Sequence, residues 1–146
     1  MRVLALLNCA AGPMGRADTA RRERDVRAAF ESAGVEAEVR AIEGDQIESQ
    51  ARAALDQYDI IVASGGDGTI SAIASALAGS GKPMGVLASG TMNHFAKDLN
   101  LPLQLAAAAK VIASASSRVV DVGEVNGRVF VNNSSIGLYP NRKSVV

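Results

Sequence analysis

Ten residues in the middle of the chain concentrate its most informative chemistry: Ile60-Ile61-Val62-Ala63-Ser64-Gly65-Gly66-Asp67-Gly68-Thr69. An apolar run ends in three glycines and one acid, and a helical pattern follows at once. Glycines let a backbone approach a ligand closely and turn its N–H groups inward, while a helix N-terminus adds partial positive charge. That combination suits phosphate. The loop is not a P-loop, because no Gly-Lys-Ser/Thr follows, and Ile70 and Ser71 stand where G-x-G-x-x-G needs its last glycine. Asp67 would repel a polyphosphate unless a divalent cation lay between them, which points to Mg²⁺. Read alone, the same residues also describe a tight turn in which Asp67 caps the third helix, since Asp is a favoured N-cap.

A second turn follows some twenty residues later, in Leu87-Ala88-Ser89-Gly90-Thr91-Met92-Asn93-His94-Phe95-Ala96-Lys97-Asp98-Leu99. Thr91 and Asn93 offer a hydroxyl and an amide to a nucleotide, or simply cap a helix start. His94, a lone histidine at a helix start, reads as a surface or packing residue. A third loop, Asn8-Cys9-Ala10-Ala11-Gly12, follows the first apolar run; on spacing alone it is an ordinary connection.

Short apolar runs alternate with helical ones, the pattern of βαβ units around a mostly parallel sheet. Strands are predicted at Val3 to Leu7, Val35 to Ile42, Ile60 to Ala63 and Met84 to Leu87. Helices are predicted at Thr19 to Ala33 (capped by Asp18 and ended by Gly34), Asp45 to Gln57, Thr69 to Ala78, Met92 to Leu99 and Leu103 to Ala115. The carboxyl ends of parallel strands form a ligand crevice, so the three polar loops face one site. After Ser117 the character changes. Val119 to Val125 and Val129 to Ile136 are β-rich and flank Asn126-Gly127, a tight hairpin signal. The organisation read from this is an α/β domain over residues 1–117 and the opening hairpin of a β-rich second domain over 118–146.

The 146 residues carry fifteen basic and fifteen acidic side chains, so bulk electrostatics suit neither nucleic acid nor an anionic membrane. One cysteine, Cys9, and one histidine, His94, exclude a disulfide framework and multi-His or Cys-based metal clusters. No apolar run approaches the ~20 residues of a membrane span, and Val3 to Leu7 is too short for a signal peptide. The compartment expected is the cytosol, at most peripheral to the inner membrane face.

The Gly65-to-Thr69 turn, followed by Gly90-Thr91-Met92-Asn93-His94-Phe95-Ala96-Lys97-Asp98-Leu99, resembles the catalytic-domain pattern of the diacylglycerol kinase and lipid kinase family, which includes sphingosine and ceramide kinases. Asn8 to Gly12 resembles that family's N-P-x-x-G, with Cys9 in place of the usual Pro. Val120 to Gly123 and Val131 to Leu138 resemble the start of its β-rich second domain. Ser71-Ala72 replace a frequent Asn-Glu, and His94 replaces a frequent Asp. The resemblance implies a phosphofructokinase-like, three-layer nucleotide-binding domain that takes ATP and Mg²⁺ and serves transfer to a lipid hydroxyl such as that of diacylglycerol. It implies roles in nucleotide binding for Asn8, Gly65, Gly66, Gly68, Thr69, Gly90, Thr91 and Asn93. It makes Asp67 the catalytic residue, acting on Mg²⁺ directly or through its water shell.

Two other readings stand beside this one: a phosphotransferase like the NAD kinases, which share Gly-Gly-Asp-Gly-Thr, and a nucleotide-binding module without catalysis. The family's lipid cleft lies between its two domains, and Val146 comes only a hairpin into the second. Little or no lipid turnover is therefore expected from the chain alone. Apolar faces of the hairpin must be covered by folding back on the first domain or, as the favoured expectation, by pairing two copies in a homodimer. Arg142 and Lys143 read as a solvated tail, and transient contact with a membrane surface is left open.

Overall fold

The computed structural model describes residues 1–9 and 16–131. Gly12, Pro13, Gly15, the stretch from Asn132 to Leu138, Arg142 and Lys143 therefore lie outside the described residues. Four strands, β1 (Val3–Asn8), β2 (Ala37–Ile42), β3 (Ile60–Gly65) and β4 (Met84–Ala88), form one parallel sheet in the order β2-β1-β3-β4. The helices are α1 (Arg16–Ser32), α2 (Ile47–Ala53), α3 (Asp67–Leu77), α4 (His94–Asp98) and α5 (Leu105–Ala113). A separate antiparallel pair, β5 (Gly123–Val125) and β6 (Arg128–Phe130), follows.

The sheet is buried on both faces, which explains why β1 and β3 read as continuous apolar runs without alternation. Leu4, Leu6, Ile61 and Ala63 pack with Ile47, Ile70, Ile73 and Phe95 from α2, α3 and α4. Val3, Ala5, Ile60 and Val62 pack with Val26, Phe30, Ala109 and Ile112 from α1 and α5. Each fully buried leucine in these layers contributes about 1.5–3 kcal/mol relative to exposure. The three-layer α/β architecture read from the sequence is the one observed.

Local ends differ in informative ways. Helix α1 starts at Arg16, so Asp18 lies inside its first turn rather than at its cap. Its other end is closed as expected by Gly34 at φ +77, with the Gly34 N–H on the Glu31 carbonyl and the Val35 N–H on that of Phe30. Helix α2 is shorter than its apolar pattern, stopping at Ala53. The Leu55 and Gln57 N–H groups then reach back only three residues, to Arg52 and Ala54.

Asn126 and Gly127 both take positive φ, +50 and +74, and turn β5 into β6 as the dipeptide predicts. This hairpin folds back: β6 lies against α3, and Val131 packs on the core cluster containing Ile70 and Ile73. Val119, Val120 and Val122 before it stay exposed.

Candidate functional site

The sheet order places β1 between β2 and β3, with α1 leaving β1 over one face and α3 leaving β3 over the other. A crevice opens at such a reversal, beyond the carboxyl ends of the strands. Asn8 ends β1 there and Gly65 ends β3. The two loops are joined directly, because Asn8 Nδ2 donates to Thr69 Oγ1 at 3.0 Å. Thr69 is buried, and a Cβ on Gly65 would lie 2.5 Å from its Oγ1. Gly65 is thus required by Thr69 of the helix that follows it, before any ligand is considered.

The second turn is clasped against the first. The Ser89 N–H donates to the Gly65 carbonyl at 3.0 Å. A Cβ on Gly90 would come within 2.5 Å of the Gly66 Cα, and one on Gly66 within 3.3 Å of the Gly90 Cα. Left-handed backbone is absent from Gly65, Gly66, Gly68 and Gly90; Asn93 takes it instead, at φ +52. The Asn93 side chain is buried and serves Gly90 twice. Its Oδ1 accepts the Gly90 N–H at 3.0 Å, and its Nδ2 donates to the Gly90 carbonyl at 2.9 Å. Gly68, the first-turn glycine of α3, has open space where a Cβ would stand. Thr91 is exposed beside Gly90.

Asp67 is the first helical residue of α3, and Gly66 occupies the N-cap. Its carboxylate does not cap α3. Oδ2 accepts the His94 N–H at 3.0 Å and Oδ1 the Phe95 N–H at 3.1 Å, so Asp67 closes the start of α4. Two of the N–H groups that α4 cannot satisfy internally are thereby bonded. No group of three His, Cys, Asp or Glu that could hold a metal occurs among the described residues. A single carboxylate suits a cation that keeps its waters and arrives on a phosphate, which is the habit of Mg²⁺.

Two residues that the sequence reading did not single out also reach this edge. Arg22 of α1 donates from Nη2 to Ser89 Oγ at 2.7 Å. Ser64, one residue before Gly65, is only 2% exposed. Both line a cleft of about 190 Å³ between α1, α5 and the ends of β3 and β4. A sequence separation of 67 residues between Arg22 and Ser89 leaves no local signal of their contact.

Perturbed acid–base groups cluster at the opposite edge. Tyr58 OH donates to Glu38, Arg40 Nε donates to the same carboxylate at 2.6 Å, and Arg40 Nη2 donates to Tyr58 OH at 2.9 Å. The Tyr58 hydrogen bond, followed by that from Arg40, holds the Glu38 carboxyl below its ordinary value. The same bond to Glu38 raises the Tyr58 hydroxyl.

The sequence pattern described as the diacylglycerol kinase catalytic domain matches residues 2–125. A diacylglycerol kinase of Bacillus subtilis strain 168 is 39% identical over 108 residues, covering 70% of this chain and 36% of the relative. One from Staphylococcus saprophyticus is 35% identical over 119 residues, covering 77% and 38% respectively. A crystal structure of a diacylglycerol kinase from Bacillus anthracis strain Sterne superposes with a TM-score of 0.72 at 26% identity, over 90% of this chain and 45% of that one. The chain thus spans little more than a third of the length of these curated relatives.

Proposed function

The chain belongs to the diacylglycerol kinase catalytic domain family, and on that premise we propose that it is the nucleotide-binding part of a lipid kinase. It binds ATP with Mg²⁺ and presents the γ-phosphoryl to a lipid hydroxyl such as that of diacylglycerol. The observation that carries this reading is the clasp of two glycine turns, Gly65–Gly68 and Ser89–Thr91, beside Asn8 at the strand-order reversal. Gly68 leaves room for phosphate, and the first turn of α3 presents N–H groups and partial positive charge there. Asn93 holds the Gly90 turn in shape, and Thr91 adds a hydroxyl at its surface.

Mg²⁺ is the nucleotide's own counter-ion here, neutralising phosphate charge, and Asp67 is the residue that meets it or its water. Phosphoryl transfer depends mainly on positioning and charge neutralisation, which this arrangement serves. No helix among the described residues is long and apolar enough to cross a membrane. The acceptor lipid of this reading is met at a membrane surface.

Titration calorimetry with ATP, with and without Mg²⁺, tests the reading. Micromolar to submillimolar binding that tightens with Mg²⁺ is expected, and no detectable binding overturns it. Radiolabel transfer to diacylglycerol in mixed micelles separates the kinase from the module. Binding without transfer by the protein in its full natural length favours a non-catalytic role.

A further inference from the structure

We infer that Arg22 is a phosphate-binding residue of this site, acting with the hydroxyls of Ser89 and Ser64; the inference rests on the nucleotide reading above. A polyphosphate lying over the two glycine turns meets the negative charge of Asp67 from the α3 side. Arg22 reaches the same edge from the other face of the sheet. It is held there by its bond to Ser89, the residue before Gly90. A guanidinium carries its donors in a planar fork, a geometry matched to phosphate oxygens.

Ser64 supplies the independent sign of a ligand. It is 98% buried, since its relative exposure is 2%, and its hydroxyl has no hydrogen-bond partner among the described residues. Strand alternation with Val62 puts its side chain on the α1–α5 face, where it lines the cleft with Arg22 and Ser89. Buried polar groups are nearly always hydrogen-bonded, so this hydroxyl is a place for a ligand oxygen or a water. The cleft, about 190 Å³, has room for a phosphoryl group with bound water. Asp25 also lines it, but is exposed and lies 3.9 Å from Arg21, which offsets its charge at the rim.

Calorimetry on the wild type, Arg22→Gln, Arg22→Lys and Ser64→Ala, with ATP, tripolyphosphate and adenosine as probes, tests this. Charge-assisted hydrogen bonds predict that Arg22→Gln weakens ATP and tripolyphosphate about tenfold or more and leaves adenosine unchanged. Arg22→Lys should recover part of the loss, and Ser64→Ala should lose about two- to fivefold on the phosphate-bearing probes. Unchanged ATP affinity in Arg22→Gln overturns the inference. So does an equal loss for ATP and adenosine, which would make Arg22 a scaffold for the turn. A wild type that binds neither ATP nor tripolyphosphate overturns the nucleotide reading itself, and this inference with it.

Discussion

Asp67 Oδ2 and Oδ1 accept the backbone N–H groups of His94 and Phe95, so one side chain at the start of α3 sets where α4 begins. The acid of the first glycine turn and the helix behind the second are therefore a single mechanical unit. A ligand or cation that draws on the Asp67 carboxylate is felt at once by α4.

Asp67→Asn is expected to cost stability as well as Mg²⁺-dependent ATP binding. The amide keeps one acceptor and turns an NH₂ toward an N–H donor, so about 1–3 kcal/mol is at stake. Thermal melting and calorimetry read the two effects separately. An unchanged melting temperature would show that the two hydrogen bonds contribute nothing to the fold.

Gly90→Ala and Gly68→Ala should part company. At Gly90 a methyl meets the Gly66 backbone, and overpacking of that kind costs about 1–3 kcal/mol. At Gly68 the methyl meets no protein atom, so helix α3 should gain up to about 1 kcal/mol. Loss of ATP affinity in a stabilised Gly68→Ala protein would report close approach of the ligand. Undiminished affinity would remove Gly68 from the site.

Thr69→Val removes the acceptor of the Asn8 amide at nearly constant volume. A loss of about 1 kcal/mol is expected, and a double-mutant cycle with Asn8→Ala should return a coupling of about 0.5–1.5 kcal/mol. Strict additivity of the two substitutions would mean that β1 and α3 are not joined through this bond.

Acid should distinguish Tyr58→Phe from the wild type. Glu38 titrates below its ordinary 4.5, so its contribution is present above that value and disappears as pH falls through the lowered one. Tyr58 is raised above its ordinary 10.0, so its share is full below that value and is lost as pH rises through the raised one. Removing the hydroxyl should flatten both limbs of melting temperature against pH. The groups are largely solvated, so the difference is small, and identical profiles would dismiss the cluster as a surface contact.

What could be read from the chain was local. Apolar runs marked the four parallel strands, Gly34 and Asn126-Gly127 marked turns by their need for positive φ, and Gly-Gly-Asp-Gly-Thr marked a strand end. What could not be read were meetings across the fold. Asp67 has the composition of a cap for its own helix, but its partners lie 27 and 28 residues on. The glycines of the turns were expected to let the backbone approach a ligand closely. Gly65, Gly66 and Gly90 are needed because Thr69 or the facing glycine stands where a side chain would go, Gly68 has open space there, and the left-handed angle falls on Asn93.

Strand β1 is an inner strand of the sheet, hydrogen-bonded to β2 on one side and β3 on the other. On a ribosome it emerges long before either neighbour. At roughly 5–20 residues per second, the stretch from Asn8 to Gly65 takes about 3–11 s to synthesise. Throughout that interval Val3, Leu4, Leu6 and Leu7, at most 2% exposed once folded, have no finished sheet to enter. Non-local parallel pairing of this kind also slows folding once the chain is complete. The same arrangement that builds a crevice at the strand ends therefore makes the nascent chain a natural client for chaperones that shield short aliphatic segments.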